Sequence, residues 1–307
     1  MKKVIILFSC VLFFVACGAA NKKVVKSEEK KFVYVKAPTM MGDKKEAVAY
    51  LVTHFWDNFD FTDTTYISLP EVLEQAISNY VDMLPMVDSA VSAKSIDSMV
   101  VKSEVDTAMF NYLTDKLLDY VGNPNSPLRN ELSHINVLKA MLANPMVDST
   151  EKIAYAHKLK MVSKNRVGQK AADFRYFTRD GVKGKMSSIK SEYTLIFFNH
   201  LGCNACAGVK TTFEGDDMLA DLIKTKRLTM LCIFPDADKS DWLKADNKFA
   251  SMWINGADTD SDIDLKELYY LPAIPSLYLL DNTKTVILKD ADASQILSYL
   301  AQVFNRQ

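Results

Sequence analysis

Two cysteines three residues apart, Cys203 and Cys206, stand where an apolar run, Thr194-Leu195-Ile196-Phe197-Phe198, gives way through Asn199-His200-Leu201-Gly202 to a helical pattern over Ala207 to Phe213. At a strand-to-helix junction the first sulfur meets the helix dipole and free N–H groups, which favour a thiolate. The second lies one turn on, close enough to resolve a mixed disulfide. Half of a zinc site has the same spacing, but zinc needs two more ligands, and here there is no second CxxC and no histidine after His200. A structural bridge remains open, although so short a loop restricts the unfolded chain only weakly. His200, three residues before Cys203, could stabilise a thiolate when protonated, or could be a surface loop histidine.

The other cysteines sort by position. Cys10 lies in a leading apolar stretch, Cys17 ends that stretch, and Cys232 sits alone in the run Leu228 to Phe234, where a lone thiol is ordinarily inert packing. Met1-Lys2-Lys3, the apolar Val4 to Val15 and then Ala16-Cys17-Gly18 form an n-region, an h-region and a small-residue cleavage site, too short to span a bilayer as a mature helix. Phe14-Val15-Ala16-Cys17 resembles a bacterial lipobox, with Phe14 in place of the commoner Leu. That resemblance implies lipidation at Cys17 and a stable membrane anchor. The segment following Cys17 lacks an early acidic cluster, which favours an anchor facing the periplasm in the cell envelope.

These segments need a scaffold of 307 residues, 49% of them hydrophobic, long enough for two domains after a targeting segment. Thirty-seven basic and 38 acidic residues nearly cancel and are dispersed, so there is no electrostatic footprint for nucleic acid. Residues 1–16 read as a signal peptide and 17–43 as a lipidated tether, its Lys- and Glu-rich part from Asn21 to Lys36 needing no fold.

Residues 44–165 have apolar residues at helical spacing, with one stripe in Val48, Leu51, Val52, Phe55, Trp56 and Phe59 and another in Val105, Met109, Tyr112, Leu113, Leu117 and Tyr120. Further helices are expected over Leu128 to Leu142 and Ile153 to Val162, the latter capped at Asp148 or Ser149. Pro85, Gly122-Asn123-Pro124 and Asn144-Pro145 punctuate them.

Residues 166–307 change pattern. Short β-like runs at Phe174 to Phe177, Tyr193 to Phe198, Leu228 to Phe234, Ser276 to Leu280 and Thr285 to Leu288 alternate with helices from Cys203, around Trp242, around Leu268 and from Ser294 to Phe304. The expectation is α+β overall: an all-helical N-terminal domain, then an α/β domain with a mixed central sheet. Glu214, Asp216, Asp217 and the Asp-rich stretch from Asp236 to Asp241 read as solvated loops, and Trp242 and Trp253 as core.

Val167-Gly168-Gln169-Lys170-Ala171-Ala172-Asp173-Phe174 before the central strand, the CxxC after it, and Leu271-Pro272-Ala273-Ile274-Pro275-Ser276-Leu277 later resemble, in that order, the thioredoxin-like family in its envelope TlpA/ResA-type branch. The resemblance covers about Gly168 to Gln307. It implies that Cys203 attacks a substrate disulfide, that Cys206 resolves the mixed disulfide, and that a cis peptide precedes Pro275, with the Ile274 backbone hydrogen-bonding an extended substrate. Pro272 is better placed to end a helix.

Three features depart from the family: Gly202 stands where Trp is usual, Asn204 and Ala205 include no Pro, and Phe197 replaces a buried Asp. Proton transfer to Cys206 then falls to water or another group, and potential and direction of electron flow are not set by the motif. The preceding helices, with Phe55-Trp56-Asp57-Asn58-Phe59-Asp60-Phe61 as their clearest segment, resemble the domain ahead of thioredoxin-like modules in lipoproteins of Bacteroides-type bacteria. This implies an accessory role; His54, His134 and His157 are scattered and suggest no constellation.

The function expected is thiol-disulfide exchange on envelope proteins, as a reductase or isomerase, with no cofactor besides the redox-active pair, no metal, and electrons from a membrane thiol carrier. A non-catalytic scaffold lipoprotein that recruits partners through its helices is the rival. For a peroxidase the sequence lacks the Thr or Ser and the Pro before the cysteine, having His200 and Ile196 at the corresponding places, and for a copper-delivering relative it lacks a downstream histidine.

Overall fold

The computed structural model describes residues 30–304 apart from 237 and 246–248. The expected signal peptide, Cys10 and Cys17 lie outside the described residues. The described residues from 32 onward form one compact unit.

Six helices come first: α1 (Lys44–His54), α2 (Pro70–Met83), α3 (Ser89–Ser103), α4 (Thr107–Gly122), α5 (Glu131–Ala143) and α6 (Ser149–Val162). Their starts are written in short polar side chains that accept from orphan N–H groups, Asp106 from Met109 and Asn130 from Ser133. Asp148 and Glu151 form a reciprocal capping box. Their core gathers Leu73, Ile77, Tyr80, Met99, Leu113 and Leu117. The Tyr80 hydroxyl pairs with Ser95 at 2.8 Å, and Ser95 donates to the Val52 carbonyl.

Three details differ from the sequence expectation. The stripe through Phe55, Trp56 and Phe59 outruns its helix: α1 ends at His54, and these rings fold back in turns onto Tyr80 and Phe61. Val105 precedes α4 and is exposed, because the cap at Asp106 starts the helix one residue later. The supposed tether is not wholly solvated. Phe32 stacks on Phe59 with centroids 5.7 Å apart and meets Phe55 and Trp56, while Tyr34 accepts from Asn79. Aromatic area too large to leave in water overrides a charged local composition.

The sheet domain contains β1 (Arg175–Thr178), β2 (Lys183–Lys185), β3 (Tyr193–Phe198), α7 (Asn204–Glu214), α8 (Asp217–Lys224), β4 (Leu228–Phe234), α9 (Ser240–Lys244), β5 (Ile254–Asp258), α10 (Asp262–Leu265), β6 (Ser276–Asp281), β7 (Val286–Lys289) and α11 (Ala293–Phe304). The strand order is β2-β1-β5-β4-β3-β6-β7. β3, β4 and β5 are parallel, which requires crossovers such as α7–α8; β6 and β7 form an antiparallel hairpin at one edge. Alternation sets the two faces: Leu195, Phe197, Met230 and Cys232 point to α7, α8 and α11, whereas Ile196, Phe198, Leu231 and Ile233 point to Phe174, Tyr269 and Tyr278.

The mixed sheet follows its long apolar strands. β5 escaped detection because Ile254-Asn255-Gly256-Ala257-Asp258 carries no apolar run, and β2 is Lys-Gly-Lys at an exposed edge. Asp216 and Asp217 are not loop residues: Asp216 accepts from the Leu219 N–H and caps α8, whose Leu219, Leu222 and Ile223 are buried. The helix expected around Leu268 occupies Asp262–Leu265 instead and ends before Glu267, which has φ +49°.

Polar contacts join helices to sheet. Glu131 pairs with Arg166 at 3.0 Å and with Lys289, whose side chain is only 4% exposed. Lys289 also donates to the Val162 and Lys164 carbonyls. Tyr270 packs against Ile135, Leu138 and Val162.

Candidate active site

Strand β3 ends at Phe198, and the next four residues turn the chain into α7. Gly202 sits at φ +68°, in the left-handed region where a side chain is strained. Cys203 is the N-cap of α7, and its Sγ accepts from the Cys206 N–H at 3.0 Å. The sulfur therefore lies at the positive end of a helix, in hydrogen-bond contact with one of its free donors. Cys203 and Cys206 are joined as a disulfide with Cα atoms 5.2 Å apart.

Exposure separates the two sulfurs. Cys203 is half-buried; Cys206, one turn in, is buried within the cluster of Leu195, Phe197 and Leu277. Phe197, between Cys232 and Leu277 in the sheet register, gives this side of the pair an apolar floor. Cys232 is fully buried, and desolvation pushes its thiol well above the usual range.

Opposite the pair, the loop before β6 carries a cis peptide between Ile274 and Pro275. The Ile274 carbonyl oxygen is 3.8 Å from Cys203 Sγ, so this loop faces the sulfur with its backbone. Ser276, next along, donates to Asp290 Oδ1 at 2.7 Å, and Asp290 Oδ2 receives Arg129 from the loop between α4 and α5 at 2.8 Å.

His200 turns its imidazole to Asp236, with Nε2 2.8 Å from Oδ1, and packs 5.3 Å from the Phe234 ring. It lines two cavities. One, about 410 Å³, runs along Cys203, Cys206, Lys210 and Phe249. The other, about 650 Å³, reaches from His200 and Ile274 to His157 and Met161 of α6. In the larger one Glu267 is held down to about 2 by hydrogen bonds from His157 and Lys160.

The sequence-predicted Cys203, Cys206, Ile274, Pro275 and His200 thus converge. His157, Met161, Asp236 and Glu267 join them without any spacing signal, since they come from elements far apart in the chain. Among the described residues no group of three or more His, Cys, Asp or Glu side chains is placed to hold a metal ion, and no helix is long and apolar enough to cross a membrane.

Comparison with known proteins bears on this arrangement. A family model described as a domain of unknown function (DUF5106) matches residues 16–165. No curated protein matches the sequence. The crystal structure of a thioredoxin-like protein from Bacteroides caccae is 39% identical, with 89% of this chain and 99% of that one covered and a TM-score of 0.84. The C-terminal domain of an uncharacterized protein from Bacteroides fragilis is 44% identical, covering 45% of this chain and 99% of that one, with a TM-score of 0.44. With helices and mixed sheet shared almost throughout with a relative of that identity, this chain belongs to the thioredoxin-like family.

Proposed function

We propose that the protein is a thiol-disulfide oxidoreductase of the bacterial envelope, acting on protein disulfides as a reductase or isomerase through Cys203 and Cys206. The observation that carries this reading is the asymmetry of the pair: a half-buried cysteine at a helix N-cap, a buried one a turn behind it, and the Ile274 carbonyl against the first. Starting from the dithiol, the Cys203 thiolate attacks one sulfur of a substrate disulfide. A Cys203–substrate disulfide forms, and the departing substrate thiolate takes up a proton. Cys206, losing its own proton, then attacks Cys203 Sγ; the intramolecular disulfide forms and the second substrate thiol leaves. Two electrons have passed to the substrate, and a membrane dithiol carrier must return them. No cofactor takes part.

Pro275 and Ile274 shape the groove, and His200 supports the site through Asp236. Lipid on Cys17 holds the protein at the membrane, facing the periplasm; labelling of the wild-type chain and not of Cys17→Ser with an alkyne fatty acid tests that part. The activity is tested by equilibrating the soluble protein against thiol-disulfide buffers and trapping thiols. Fast exchange at a potential near or below about −270 mV supports a reductase, and one near about −120 mV an oxidase. A pair that stays oxidised throughout, or a Cys206→Ser variant that forms no mixed disulfide, overturns the activity and leaves a scaffold.

A further inference from the structure

The larger cavity is lined mostly by the sheet domain, with one side closed by α6 of the helical domain. α6 contributes His157 and Met161, and the sheet domain contributes Asp236, Asp264, Glu267 and Ile274. Because Ile274 touches Cys203 and His200 lines this cavity as well as the one along the disulfide, a chain engaging the sulfur would pass directly into the cleft. Its volume, about 650 Å³, lies within the range of ligand pockets.

The lining is sided. Three carboxylates, Asp236, Asp264 and Glu267, line it; His200 pairs with Asp236, His157 and Lys160 pair with Glu267, and Lys164 donates to the Glu267 backbone carbonyl. Asp264, exposed and outside these pairs, leaves a carboxylate open to the cleft, while Met161 and Ile274 supply apolar contact. On that charge complementarity, we propose that the cleft takes an extended polypeptide segment next to the substrate cysteine, preferring one with a basic residue. The helical domain, through α6, then forms part of the substrate site. This rests on the oxidoreductase reading above and adds its substrate class.

The test uses the reduced protein and three disulfides: two peptides identical except for Lys or Glu two to four residues from the cysteine, and hydroxyethyl disulfide, which has no flanking chain. Rates are followed by thiol release. The Lys peptide should react about fivefold faster than the Glu peptide, an amount that a few exposed charges can supply, and the gap should narrow at high salt. Asp264→Lys should bring the ratio to about one. Met161→Trp, which fills the cleft, should lower both peptide rates relative to the small disulfide. Equal rates for the two peptides, alongside reduction of hydroxyethyl disulfide, overturn the cleft proposal and leave the oxidoreductase standing. Failure to reduce any of the three overturns both.

Discussion

Arg129 and Asp290 meet at 2.8 Å, the guanidinium from the helical domain and the carboxylate from the loop after β7. The other Asp290 oxygen holds the hydroxyl of Ser276, the residue after Pro275, so the helices reach the proline loop through a single intermediary. Arg129→Ala should cost about 1 kcal/mol in urea unfolding, since both partners keep some exposure. It should also speed amide exchange at Ser276, which loss of an isolated surface pair would not do.

The thiols should differ in reactivity. After reduction, Cys203 should alkylate first and Cys206 more slowly, because it is buried. Cys232, fully buried with its thiol pushed up by desolvation, should react only on unfolding. Mass mapping after timed iodoacetamide exposure checks the order; early labelling of Cys232 would contradict it.

The Lys289 side chain is almost completely buried between Glu131 and two backbone carbonyls. Removing its counter-charge should be more harmful than removing the pair: Glu131→Gln should destabilise by roughly 3 kcal/mol, and Glu131→Gln with Lys289→Met by less. Chemical denaturation of the two variants decides it.

His134 is buried on α5, and desolvation, then Lys158 and Arg129, lower its pKa to about 4. Between that value and the usual 6.5 of an imidazole the unfolded chain binds a proton that the folded chain refuses. Stability from this group is therefore complete above about pH 6.5 and is lost as pH falls towards 4, by roughly 3 kcal/mol. His134→Asn should flatten that part of the stability-pH curve. Gly122→Ala should destabilise as well, because its Cβ would stand 2.7 Å from the His134 ring.

Phe32 packs on three aromatic residues of the helical core. Phe32→Ala should lower the melting temperature by a few degrees, corresponding to about 1–2 kcal/mol for a half-buried ring. An unchanged melting temperature would return residues 32–36 to the tether.

The sequence by itself determined the elements with strong local patterns. β3 and β4 are uninterrupted apolar runs bounded by turn residues, α6 has its capping box, and Cys203-Asn204-Ala205-Cys206 sits where strand passes to helix. Such features depend on neighbours in the chain and are readable there. β5 and α8 were not, because a polar strand and a short acidic-capped helix are defined by what they pack against.

The site divides in the same way. Cys203 and Cys206 are fixed by spacing, and Ile274 and Pro275 became legible only through resemblance to a family. Tertiary structure alone decided that His157 and Met161 of α6 share a cleft with His200 and Ile274. It also decided that His200 spends its imidazole on Asp236, and that Phe32 leaves a charged segment for the core. These pairings span dozens of residues with no common periodicity: the closing of helices against sheet makes the first, and packing within each domain makes the other two.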